Sequence, residues 1–336
     1  MLIIMEKEDE IKSAQFSFIK RMNEIADKRG TIIVGYKGGN AELEASWNKE
    51  FNIWWTTQEL ENRYWNAFGT KEPKWNTKYA HSITCEINPP FKGINRTIAG
   101  AFARDSSGRI YLMHRGKIGG GRKGIGKNKF WNEFRGEWQE VSDGEIISTL
   151  TLVASFESPR FVAQVANFVH EVERVKARSI TKIKSSTVQL TTFKEEFSGT
   201  KKFSATSKEI EAKCDHGLVV NTLAKHLEKI GITIGNSPNI DLFVLDKNNN
   251  FKMMFEIKTT VTKTQCYEAI GQLYFNSAKL GKKPHLVAVF PENLNEECKN
   301  VFKNLNIHCL TYKWINNGPK FDRISKPESL MTHVSV

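Results

Sequence analysis

The stretch "NIDLFVLDKNNNFKMMFEIKTT", residues 239–260, decides the fold of its half of the chain. Two β-rich runs flank an asparagine-rich turn at residues 247–250, so the stretch reads as a hairpin. Side chains alternate between faces along a strand, so Glu256 and Lys258, on either side of Ile257, share one face. Asp241 on the first strand comes beside Glu256 if the pairing register cooperates. Two adjacent carboxylates repel unless a cation sits between them, and hard oxygen ligands of this kind suit Mg²⁺. A lysine beside such a cation orients or deprotonates an attacking water and offsets charge on a phosphorane. The plain alternative is an exposed hairpin in which Glu256 and Lys258 merely pair. It leaves unexplained why an acid and a base lie in the apolar run "MMFEI", where unpartnered charges are costly.

The elements around the hairpin have a clear order. Leu218, Val219, Leu223, Leu227 and Ile230 mark a helical face in "EIEAKCDHGLVVNTLAKHLEKIG", which Gly231 ends. "ITIG" and the two hairpin runs follow as strands, and "QCYEAIGQLYFNSAKLG" as a helix. "HLVAVFP" is a continuous apolar run typical of a strand buried on both faces. A helix through "ENLNEECKNVFKNL" and a strand "IHCLTYKW" complete an α-β-β-β-α-β-α-β order, which implies a mixed central sheet flanked by helices.

This arrangement resembles the PD-(D/E)xK nuclease superfamily, the restriction-endonuclease-like fold, over about residues 209–315. The motif here reads Asn239-Ile240-Asp241, a fourteen-residue gap, then Glu256-Ile257-Lys258. The resemblance implies that Asp241, Glu256 and the Ile257 carbonyl hold Mg²⁺, with Lys258 as the catalytic lysine. It also implies a polar residue in the following helix, matched by Gln272, and an acid or histidine from the preceding one. Glu209, Glu211 and His216 are the candidates there, His216 first. The family's proline before the aspartate is absent, because Ile240 stands in its place.

The chain has 336 residues, enough for about two domains at roughly 100–200 residues each. The expected organisation is an α+β N-terminal recognition domain (1–178), a linker rich in Ser, Thr and Lys (179–208) and an α/β nuclease domain (209–336). In the first of these, residues 6–29 read as an amphipathic helix stopped by Gly30. "TIIVGY" and "GEIISTLTLVASF" read as strands, and "RTIAGAFARD" and "RIYLMHRG" as a hairpin. A helix follows Ser158-Pro159. Trp54 and Trp55 face opposite ways if they lie in a strand, and the tryptophans of this half read as core or as stacking surfaces for bases.

Lys and Arg exceed Asp and Glu by 12, a balance that favours a polyanionic partner. Residues 114–136 concentrate that charge in a glycine-rich stretch carrying Arg115, Lys117, Arg122, Lys123, Lys127, Lys129 and Arg135. Such a stretch reads as a DNA backbone or groove contact that orders on binding, and it is not a Walker A loop. The five cysteines lack any CxxC pair, which argues against a zinc knuckle or a disulfide framework, and His81 and His114 lack ligand-spaced partners. No apolar run approaches the roughly 18–20 residues of a membrane span, so a soluble, cytoplasmic protein is expected.

The expectation is therefore a Mg²⁺-dependent endonuclease of restriction or phage defence, acting on double-stranded DNA as a homodimer. Two alternatives stay open. The N-terminal half senses a small nucleotide signal, or the whole is a DNA-binding protein with an inert nuclease fold.

Overall fold

The computed structural model describes residues 1–36, 38–119, 125–178, 207–237, 239–281 and 283–321. The expected linker therefore lies almost wholly outside the described residues, as do Arg122 and Lys123.

The chain opens with β1 (Leu2–Ile4) and α1 (Glu8–Glu24). Three acids in the first turn of α1 suit the helix dipole, and Ile11, Ala14, Phe18 and Met22 form its buried stripe. The helix ends well before Gly30, which already lies inside β2 (Lys28–Tyr36). Gly30 packs closely there: a Cβ would stand 3.1 Å from the Trp75 ring.

Next come β3 (Gly39–Asn48), β4 (Ile53–Leu60), β5 (Arg63–Gly69), β6 (Ala80–Ser82) and β7 (Cys85–Glu86). They join β2 in a six-stranded sheet of order β6-β2-β3-β4-β5-β7. Trp54 and Trp55 do face opposite ways. Trp55 joins the main core with Phe18 and Phe68, while Trp54 packs with Trp47 and Trp65 on the far face.

The expected hairpin is β8 (Gly100–Arg104) with β9 (Ile110–His114), in register from Gly100↔His114 to Arg104↔Ile110. Helix α2 (Lys127–Glu133), β10 (Trp138–Asp143) and β11 (Ile146–Ser155) follow. Strands β1, β10, β11, β9 and β8 close into a small barrel. Helix α3 (Phe161–Arg178) begins two residues after Pro159; Ser158 makes the turn before it, accepting from the Arg160 N–H.

Helix α4 (Ser207–Lys229) touches both halves. Its first turns put Ile210 and Cys214 into the barrel's core beside Leu2, Tyr111 and Leu152. Its later turns put Val219, Leu223 and Leu227 against the second sheet. One helix thus belongs to two cores.

The second sheet contains β12 (Ile234–Ser237), β13 (Ile240–Leu245), β14 (Phe251–Ile257), β15 (His285–Pro291), β16 (Ile307–Ile315) and β17 (Gly318–Lys320), in that spatial order. Strands β14, β15 and β16 are parallel and the rest antiparallel, so the sheet is mixed as expected. Helices α5 (Lys263–Ser277) and α6 (Glu296–Asn304) connect the parallel strands. Thr262 and Asn295 cap them, accepting from the Gln265 and Cys298 N–H groups. Both helices cover one face of the sheet and α4 covers the other. The molecule is a mixed α+β protein.

Among the described residues, no helix is long and apolar enough to cross a membrane. The five cysteines are free thiols.

Candidate active site

Strands β13 and β14 pair with Leu242 opposite Phe255 and Phe243 opposite Met254. One further step of this antiparallel register sets Asp241 opposite Glu256. Asp241 Oδ2 accepts the Ile257 N–H at 2.8 Å, which pins the carboxylate to the end of β14.

Alternation places Glu256 and Lys258 on the α5 side of the sheet, as the sequence implied. Lys258 Nζ stands 2.9 Å from Glu256 Oε1 and donates to Gln272 Oε1 at 2.7 Å. Its backbone is fixed as well, because its N–H donates to the Val289 carbonyl and its carbonyl accepts from the Tyr312 hydroxyl. From the other side of the sheet α4 delivers His216, whose Nε2 lies 3.2 Å from Asp241 Oδ2.

The sequence-derived residues Asp241, Glu256, Lys258, Gln272 and His216 thus meet at one end of the sheet, supplied by β13, β14 and its exit, α5 and α4. Glu211, a rival of His216 from the same helix, instead faces Arg109 at 3.7 Å. The Glu209 side chain lies outside the described residues.

Burial and mutual repulsion set the charges. Burial and the nearby Asp241 carboxylate push the Glu256 pKa up to about 8, against the pull of Lys258. Burial would also raise Asp241, but His216, the Ile257 N–H and Lys258 outweigh it and hold that carboxyl below its usual range. Burial would lower His216, yet Asp241, Glu137 and Glu256 outweigh it and raise the imidazole to about 9. Lys258 follows the same pattern: burial works against its charge, while Glu256, Asp241 and Glu268 raise its pKa. The cluster therefore holds two carboxyl groups in a poorly solvated place where only cationic partners let both ionise.

Two residues of the cluster escaped the sequence reading. Glu268 approaches Lys258 Nζ at 3.7 Å. Its position four residues before Gln272 on one helix was a usable signal, since such positions share a face. Glu137, beside β10, reaches His216 Nδ1 at 3.2 Å and carried no signal, because it lies in the other half of the chain.

No group of three or more His, Cys, Asp or Glu side chains able to hold a metal ion occurs among the described residues. Mg²⁺ asks for less, since it keeps several waters and takes one or two carboxylates plus substrate phosphate. Two carboxylates with an adjacent main-chain carbonyl, that of Ile257, fit this requirement.

The basic stretch differs from its sequence expectation. Arg115 is buried, and its guanidinium forms a two-pronged contact with Asp143 at 2.7 and 2.9 Å. Arg135 is buried as well, facing Glu228 at 3.4 Å, while its N–H donates to Glu171. Neither side chain is presented to a solvent-borne polyanion. Lys129 pairs with Glu133 one turn along α2, and Lys117 donates to the Arg96 carbonyl. Lys127 is exposed. Ile118 and Ile125 are buried in the main core, so the described ends of the stretch are anchored.

His81 and His114 serve the fold. His81 Nε2 accepts the Lys74 N–H, and His114 contacts the Glu86 carbonyl. A cleft of about 500 Å³ between α1 and β4–β5, lined by Lys12, Gln15, Phe16, Thr57 and Tyr64 among others, shares no residue with the cluster.

No protein-family model matches the chain. No curated protein matches it significantly. Among solved structures it is similar to the crystal structure of a repair endonuclease from Pyrococcus abyssi, at 11% sequence identity over 93% of this chain and 99% of that one, with a TM-score of 0.25.

Proposed function

We propose that this chain is a Mg²⁺-dependent DNA endonuclease that hydrolyses phosphodiester bonds. The observation that carries the reading is the buried Glu256 carboxylate beside the half-buried Asp241, with Lys258 Nζ 2.9 Å from Glu256 and Gln272 next to the lysine. Asp241, Glu256 and the Ile257 carbonyl would hold the cation. Mg²⁺, when bound, supplies Lewis-acid polarisation of a phosphoryl oxygen and a more acidic bound water. Lys258 is placed to orient the attacking water and to offset charge developing on the phosphorane, and Gln272 holds the lysine in that position. His216 steadies Asp241 from the opposite side.

The net charge of +12 supports a polyanionic substrate. In this reading the enzyme serves restriction or phage defence. Its N-terminal half recognises a DNA sequence or a modified base, and a homodimer supplies the two sites that duplex cleavage needs. With Arg115 and Arg135 committed to internal ion pairs, recognition falls to other groups of that half.

The test is incubation with matched methylated and unmethylated duplex DNAs, with Mg²⁺ or with a chelator, followed by mapping of the ends. Cleavage strictly dependent on Mg²⁺, leaving 5′-phosphate and 3′-hydroxyl ends, is expected. Absence of cutting across all DNAs and divalent cations would reject the reading.

A further inference from the structure

The site described above leaves one contact without a role. Glu137 belongs to the N-terminal half, yet its Oε1 stands 3.2 Å from His216 Nδ1. His216 in turn places Nε2 3.2 Å from Asp241 Oδ2, and that same oxygen accepts the Ile257 N–H. A chain of four groups therefore runs from the barrel to the end of β14. His216 Nδ1 is buried and makes no hydrogen bond, and the Glu137 carboxylate is the anion in charge contact with it, at 3.2 Å.

The segment that carries Glu137 is held on several sides. Arg135 gives its N–H to Glu171 of α3 and its guanidinium to Glu228 of α4. The Glu137 carbonyl accepts the Leu152 N–H from β11. Gly217, next to His216, lets α4 come close: a Cβ there would stand 3.3 Å from the Arg135 carbonyl and 3.4 Å from Gly136 Cα. Two residues beyond Glu137, Gln139 accepts from Lys213 Nζ at 3.1 Å, one helical turn before His216. The edge beginning at Glu137 and the face of α4 are thus matched at two successive points. Beside His216 on α4, Asp215 receives the Nε–H of Arg160, the residue just before α3, at 3.0 Å.

From this geometry we infer that Glu137 is a positioning residue of the cleavage site, through which the N-terminal half holds the His216 ring against Asp241. The inference rests on the nuclease reading and adds to it a structural dependence of the nuclease half on the barrel. Packing limits the His216 ring to few rotamers, and contacts at both ring nitrogens select the ring plane among them. A carboxylate beside Nδ1 fixes the ring plane of the doubly protonated imidazole, so its Nε2–H is aimed at Asp241 Oδ2. Glu137 touches no reacting atom and acts only through His216.

The test uses the full chain with Glu137→Ala, Glu137→Gln, His216→Ala and the Glu137→Ala/His216→Ala double variant. Glu137→Ala is expected to lower kcat by about 10–100-fold, the usual cost of losing an orienting partner, with KM for DNA unchanged. Glu137→Gln, which keeps an acceptor oxygen, is expected to recover part of the loss. The double variant is expected to be no slower than His216→Ala alone, because both substitutions break one chain. Losses that multiply, or a Glu137→Ala enzyme with wild-type kcat, would overturn the proposal.

A second readout needs no activity. Ring-nitrogen NMR of His216 in the cation-free protein is expected to show the Nδ1–H signal in the wild type and its loss or exchange broadening in Glu137→Ala. An unchanged ring spectrum overturns the Glu137 role even if the wild type cuts DNA. A changed spectrum in a protein that cuts nothing would reject the nuclease reading and leave the Glu137–His216 contact standing.

Discussion

Lys258→Met is expected to lower Mg²⁺-dependent cleavage by roughly 10²–10³-fold, the scale found when one preorganised donor to a developing oxyanion is removed. Methionine keeps most of the unbranched stem, so the packing beside Gln272 survives while the ammonium is lost. The substitution leaves Glu256 without its closest cationic partner. Burial and Asp241 already raise the Glu256 pKa, and loss of the Lys258 ammonium, which lowers it, favours the neutral carboxyl further, so no unpaired buried charge is left. Asp241→Asn is expected to match this loss by a separate route, through weaker cation binding. The two routes differ in one measurement: raising Mg²⁺ recovers rate in Asp241→Asn and none in Lys258→Met. Both variants should keep the wild-type circular dichroism spectrum. Cleavage within tenfold of wild type in Lys258→Met would remove the lysine from the mechanism and favour a DNA-binding protein with an inert nuclease fold.

The second large effect is expected in stability, far from the cluster. Asp143 is fully buried at the end of β10 and binds Arg115 through both oxygens, with further hydrogen bonds from Ser148 and Arg96. Asp143→Ala leaves the Arg115 guanidinium buried and uncompensated, which costs about 3–5 kcal/mol. That is a large share of the ~5–15 kcal/mol that holds an ordinary domain together. The midpoint of urea unfolding should fall accordingly. Arg115→Met with Asp143→Leu should recover most of the loss, because an apolar pair replaces a buried ion pair at little net cost.

The same site predicts a pH dependence. Burial alone would raise the Asp143 pKa; Arg115, Ser148 and Arg96 outweigh it and hold the carboxyl below its ordinary 3.8. A depressed folded pKa adds stability above the unfolded value and loses it as pH falls through the folded one. The wild type should therefore lose stability on acidification below about pH 4, and Asp143→Asn should lack that component. An Asp143→Ala protein as stable as wild type would show that Arg115 finds another anion or reaches water.

How much of this was legible beforehand differs between the halves. The C-terminal order of elements was readable because its signals are local: the continuous apolar run of β15, the asparagine turn before β14 and the stop at Gly231. Gln272 was found through its place in the helix after Lys258, and Glu268 was within reach by helical spacing. Arg115 and Arg135 of the basic stretch turned out buried, because charge density along a chain says nothing about partners elsewhere. Asp143, which takes Arg115 out of solvent, lies on the other side of α2 in sequence and meets it only when the barrel closes. Gly30 looked like a helix stop, whereas it lies within β2, where a Cβ would crowd the Trp75 ring at 3.1 Å.

By itself the sequence determined what neighbours in the chain determine. Strand alternation put Glu256 and Lys258 on one face, and helical periodicity set the buried stripes of α1 and α4. Only the tertiary structure decided the register that sets Asp241 opposite Glu256, the turn of α4 that presents His216 rather than Glu211, and the contact from Glu137. The physical reason is one of range. Backbone geometry repeats every two residues in a strand and every 3.6 in a helix, so it is written locally. Which charge meets which across a closed barrel and a shared helix depends on how whole cores pack, and no spacing along the chain records that.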